Sequence, residues 1–137
     1  MRQKKIKKPE DYHDEGDVKK EIKNILNEHK WFWWMPPGSS FGKNNVDFNC
    51  FRGGVILVIE AKKTPNTSTP LQLGFLESIQ AEDGFAFVVD EERIEWFRVF
   101  MEAFDRSRDA YARKEKESPE DGAIMLDAIR YLTKELS

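Results

Sequence analysis

The chain has 137 residues, a net charge of −3 and 39% apolar side chains, ten Phe and four Trp among them. That suffices for one domain with a sizeable core, and the slightly acidic balance excludes a bulk-basic nucleic-acid binder. One cysteine, Cys50, and two histidines without metal-ligand spacing, His13 and His29, exclude a disulfide framework and a cysteine zinc cluster.

In chain order, residues 1–15 are polar and aperiodic and read as a tail or irregular lead-in; the first eight, MRQKKIKK, hold five basic groups that would suit an electrostatic contact with phosphates. A helix is predicted from Asp17, as N-cap, to about Lys30, with Val18, Ile22, Ile25 and Leu26 as its apolar stripe. Glu21 lies within that stripe, either as a rim ion-pair partner or as a carboxylate aimed at a site. Trp31 to Met35 reads as a strand covered on both faces, with base stacking by one Trp as the alternative to core packing. Residues 36–45 form a polar loop, in which Ser39, Ser40, Lys43, Asn44 and Asn45, together with Lys63 further on, are candidates for touching a phosphate backbone.

The stretch VDFNCFRGGVILVIEAKK, 46–63, follows. With Gly53-Gly54 as a two-residue hairpin loop, partners are residues whose numbers sum to 107: Arg52 with Val55, Cys50 with Leu57, Asp47 with Glu60. Opposed residues share a face with Cβ atoms about 4.5–5.5 Å apart. Lys62 points the same way as Glu60, by the period of two. Two opposed carboxylates repel unless something relieves them, and a hard cation does so: Mg²⁺ is held by one or two carboxylates plus substrate phosphate. Val55 to Ile59 is continuously apolar, so Glu60 closes a buried strand and its ionised form needs a partner.

Thr69-Pro70 opens a helix expected to stop at Gly84, with Leu71, Phe75 and Ile79 along one face and Gln72 in the first turn. Phe85 to Val89 is a buried strand, and residues 55–89 fit a right-handed βαβ crossover. A long helix from Glu91 carries Ile94, Phe97, Met101 and Phe104; a last one, starting at Ser118-Pro119, carries Met125, Ile129, Leu132 and Leu136 and must pack on the body or on a second copy. The apolar runs are too short to cross a bilayer, no apolar h-region follows the basic start, and the expected setting is a reducing cytoplasm.

A helix with Glu21, a hairpin with Asp47, then Glu60-Ala61-Lys62, then a helix with Gln72 and a strand: this order resembles the PD-(D/E)XK nuclease superfamily, and most of all its VRR-NUC and Holliday-junction-resolvase branches. The resemblance covers about residues 17–100, with Val46 where the family name has proline; residues 101–137 have no counterpart in the family core. It implies an α/β fold with a restriction-endonuclease-like core, a mixed central β-sheet in αβββαβ order flanked by helices, plus C-terminal helices. It divides the chain into a tail 1–15, a nuclease core 16–104 and a helical extension 105–137 offering a dimer surface. The activity it implies is metal-dependent hydrolysis of DNA phosphodiesters, on branched DNA as in the resolvases, by a homodimer. Asp47, Glu60 and the Ala61 carbonyl would hold Mg²⁺ or Mn²⁺, Lys62 would serve the attacking water and the transition state, Glu21 would support the metal, and Gln72 would orient a carboxylate or touch a phosphate. A nuclease this short would also suit a virus or mobile element. The alternative is a catalytically silent nucleic-acid-binding or assembly module on the same fold.

Overall fold

The computed structural model describes residues 6–36 and 46–130. The elements are α1 (Glu15–Glu28), β1 (Phe32–Trp34), β2 (Phe48–Arg52), β3 (Val55–Ala61), α2 (Pro70–Ala81), β4 (Phe85–Val89), α3 (Ile94–Ala112) and α4 (Pro119–Arg130). The αβββαβ order is thus followed by two more helices. The four strands form one mixed sheet in the order β1-β2-β3-β4, antiparallel except for the parallel β3–β4 pair.

The hairpin has the register its glycines demand. Phe48 faces Ile59, Cys50 faces Leu57 and Arg52 faces Val55. Gly53 and Gly54 both take positive φ, at 57° and 82°, which only glycine adopts without strain. Side chains therefore alternate cleanly: Phe48, Cys50, Leu57 and Ile59 point into the larger core with Phe85 and Phe87, under α1 and α3. The opposite face of β3 and β4 packs Val58 and Ala86 against Leu76 of α2.

α1 begins earlier than its sequence suggests. Asp14, not Asp17, is the N-cap and accepts from the Asp17 N–H at 2.9 Å. The lead-in is also less free than its polarity implies, since Tyr12 is buried in the core. Lys30 takes positive φ (61°) and turns the chain into β1.

The aromatic run is not covered on both faces. Trp31 is buried against Phe104, with ring centroids 5.0 Å apart, and Trp33 packs edge-on to Phe48. Phe32 and Trp34 are exposed on the other face of this edge strand. The reason is reach: α2 lies over β3 and β4, and among the described residues no element packs over the β1–β2 half of that face. A continuous aromatic run reads the same whether both faces or only one is buried.

In α2 the buried position is Leu76, with Leu73, Phe75 and Ile79 partly covered, while Leu71 is exposed rather than lining the packed face. α3 starts at Ile94, after a turn capped by Asp90, whose carboxylate accepts from the N–H groups of Glu92 and Arg93. It runs unbroken through residue 105 to Ala112, so the start of the anticipated extension falls within a helix. α4 returns onto the body: Ala128 is fully buried, Ile124, Met125 and Ile129 pack on the larger core, and Asp121 pairs with Arg106 at 2.9 Å. Of the two arrangements open to this helix, packing on its own chain is the one observed; Leu132 and Leu136 lie outside the described residues. Among the described residues no helix is long and apolar enough to cross a membrane.

Candidate functional site

The register puts Asp47 beside Glu60, one step past the last ladder pair, at the end of the sheet where β2 begins and β3 closes. The Asp47 carboxylate accepts from the Ala61 N–H at 2.8 Å, which stitches the two strand ends together. Glu60 is 2% exposed, and its Oε2 is buried with no hydrogen-bond partner among the described residues. Lys62 places its ammonium 3.8 Å from Glu60 Oε1.

Burial, then the charge and hydrogen bond of Asp47, push the Glu60 carboxyl up to about 9, against the opposing pull of Lys62. The Glu60 carboxyl, dry and beside a second carboxylate, keeps its proton unless something else offsets its charge. A hard cation would do the same job in its place. The donors suit one: two carboxylates, one with an orphaned oxygen, at an edge where a main-chain carbonyl, water and a phosphate would complete an oxygen shell. Among the described residues no three His, Cys, Asp or Glu side chains gather as a ready-made metal cluster, so the two carboxylates alone would make a site dependent on such added ligands.

The other residues singled out in the sequence are placed as follows. Glu21 is buried, but it faces α3 and pairs with Arg98 Nη2 at 2.9 Å, close to Tyr12. It does not join Asp47 and Glu60. Gln72 turns back on its own helix, its side-chain oxygen accepting from the Thr69 N–H at 2.9 Å while Thr69 Oγ1 accepts from the Gln72 N–H at 3.2 Å. That reciprocal box caps α2. Lys63 lies 3.8 Å from Glu91 Oε1. Ser39, Ser40, Lys43, Asn44 and Asn45 lie outside the described residues.

Two groups escaped the sequence reading. Lys19 of α1 sits 3.2 Å from Asp47 Oδ1 and 3.2 Å from Glu15 Oε2. Burial opposes its charge, yet the carboxylates of Asp47 and Glu15 prevail and hold its pKa above the ordinary lysine value. Two residues along a helix rotate a side chain by about 200°, so Lys19 and Glu21 cannot serve one site. The i,i+4 spacing of Glu15 and Lys19 was the available signal. Glu91, nearly buried, accepts from both the N–H and the hydroxyl of Thr64. Burial would raise its pKa, but those hydrogen bonds outweigh it and keep the carboxyl below the usual range. Glu91 thereby pins the loop leaving Lys62, whose own N–H donates to Val89 O at 3.1 Å.

No model of a known protein family matches the chain, and no curated protein is significantly similar to it.

Proposed function

We propose that the protein is a metal-dependent DNA endonuclease with a restriction-endonuclease-like core of the PD-(D/E)XK type. One observation carries this reading: a buried glutamate with an orphaned oxygen lies beside an aspartate across a hairpin end, with a lysine two residues on. The αβββαβ order and the parallel crossover after β3 support the fold assignment.

In this reading Asp47 and Glu60, with the Ala61 carbonyl, would hold Mg²⁺ or Mn²⁺. Such a cation would supply Lewis acidity and a more acidic water at the scissile phosphate. Lys62 would orient the attacking water and offset negative charge developing on the phosphate. Lys19 holds the Asp47 carboxylate in place through its ammonium. Glu91 fixes the backbone just after Lys62, limiting the drift of its stem. Branched DNA and a two-fold pair of sites belong to the same proposal, since paired cuts need two sites. Of the apolar stripe of the last helix, the described residues Met125 and Ile129 are engaged on the body of the same chain. The single buried Cys50 suits a reducing compartment.

The test is cleavage of single-stranded, duplex, flap and four-way-junction DNA in Mg²⁺, in Mn²⁺ and in EDTA. Wild type should cut with either metal, while Lys62→Ala and Asp47→Ala should lose at least about 100-fold, the scale of an electrostatic contact to the transition state. No cleavage of any substrate by wild type sinks the enzyme reading. The engagement of Glu21 by Arg98 favours a second reading, a silent nucleic-acid-binding module on the same fold. That module would bind the panel and cut none of it.

A further inference from the structure

The sheet face that carries Glu60 also carries an uncovered aromatic row. Alternation puts Asn49 and Phe51 of β2 and Ile56 and Val58 of β3 on that face; Phe32 and Trp34 join them from β1, opposite Phe51 and Asn49. Phe32 is 67% exposed, Trp34 42%, Phe51 36% and Ile56 40%. Trp34 lies nearly parallel on Phe51, with centroids 5.4 Å apart and planes 16° apart, and Phe32 flanks Trp34 at 5.9 Å. The rings are held on paired strands, so their orientation is set before anything binds.

We propose that this row is a stacking platform for unpaired nucleobases, and that the preferred substrate carries single-stranded nucleotides beside the scissile phosphate. The second part rests on the nuclease reading above. Three observations favour bases as the occupant. First, position: Trp34 pairs with Asn49, two residues from Asp47, and Phe51 is four away, which is about 7 and 13 Å along a strand. An extended single strand leaving the Asp47–Glu60 end would reach both rings within its next few nucleotides. Second, chemistry: flat aromatic rings on a rigid sheet stack any base through its π-face, and none of the six positions on this part of the face is a carboxylate that would repel a phosphodiester chain. Third, size: those exposures, on side chains of about 150–250 Å² each, leave about 300–450 Å² open. A stable protein interface needs about 800 Å² per partner, so the row is too small to seat a second copy alone and suits a few bases.

The experiment uses the full-length Lys62→Ala protein in EDTA, so that binding is read without cleavage. Its probes are a short oligothymidylate, the same oligonucleotide with abasic sites, and a blunt duplex. Oligothymidylate should quench tryptophan fluorescence and bind tighter than its abasic counterpart. Adding Trp34→Ala should weaken that binding by about tenfold or more, the scale of one lost stack, and leave duplex binding unchanged. Trp34→Phe should retain most of the affinity, which separates a lost ring from a disturbed fold. Equal affinity for abasic and normal strands, or no effect of Trp34→Ala, overturns the platform. A dimer that Trp34→Ala dissociates without altering DNA binding also overturns it, in favour of a second copy. Base-dependent binding without cleavage by wild type in Mg²⁺ upholds the platform and removes the nuclease reading. Cleavage without base-dependent binding removes the platform alone.

Discussion

At the scale of single residues, Glu60 is a group that the fold holds under electrostatic tension. Its folded pKa of about 9 stands above the ordinary 4.5 because of burial and the neighbouring Asp47. Below pH 4.5 both folded and unfolded chains carry the proton, and Glu60 costs nothing. Between 4.5 and 9 the unfolded chain has released a proton that the folded chain keeps, so stability falls as pH rises and levels off beyond 9. Glu60→Gln removes that slope. In EDTA, urea unfolding at pH 5, 7 and 9 should show wild type losing stability with pH relative to the variant. At pH 8 the variant should be the more stable by about 1–3 kcal/mol, since folding the wild type must draw a proton onto Glu60 and folding the amide need not. Mg²⁺ should then stabilise wild type and not Glu60→Gln. A variant that loses stability with pH as steeply as wild type would show that Glu60 is not the group under tension.

At the scale of elements, the hairpin was legible because two local rules agree. Period-two alternation and a Gly-Gly turn leave one register for residues 48–59, and that register alone brings Asp47 to Glu60. The helices were legible in kind but not in aim. The stripe of Val18, Ile22, Ile25 and Leu26 says which way α1 faces the core, yet polar residues on its two margins look at different neighbours: Lys19 at the hairpin end and Glu21 at α3. Which margin meets which neighbour depends on how the helix is laid across the sheet, and no local pattern carries that. Gln72 is a similar case, since a first-turn glutamine three residues after Thr69 suits a capping box as well as a site. Glu21→Gln should destabilise the fold by about 1–3 kcal/mol by leaving Arg98 poorly paired, while Mg²⁺-induced stabilisation, read as a shift in Tm, stays as in wild type. Unchanged stability with a lost metal response would instead place Glu21 at the site.

At the scale of the whole molecule, the question is whether α4 is an appendage or part of the cooperative unit. Composition suggests an appendage, because the charged run DRSRDAYARKEKE separates it from the core sequence. The packing argues otherwise. α3 carries its helix through the first part of that run, Arg106 of α3 grips Asp121 near the start of α4, and Ala128 is sealed against the same core that holds Ile129, Phe97 and Phe104. Hydrogen bonds from Arg106, more than the opposing burial, hold the Asp121 carboxyl below its ordinary pKa, so this tether persists at neutral pH. An element that shares its buried side chains with the central sheet should melt with it. Ala128→Asp tests this by placing an unpaired carboxylate in the shared core. If α4 is integral, the variant loses about 3 kcal/mol or more, and far-UV and near-UV circular dichroism follow one transition at a lower temperature. If α4 is separable, its helical signal disappears while the remaining transition keeps the wild-type midpoint, because a core that does not need the helix has nothing to lose when it detaches.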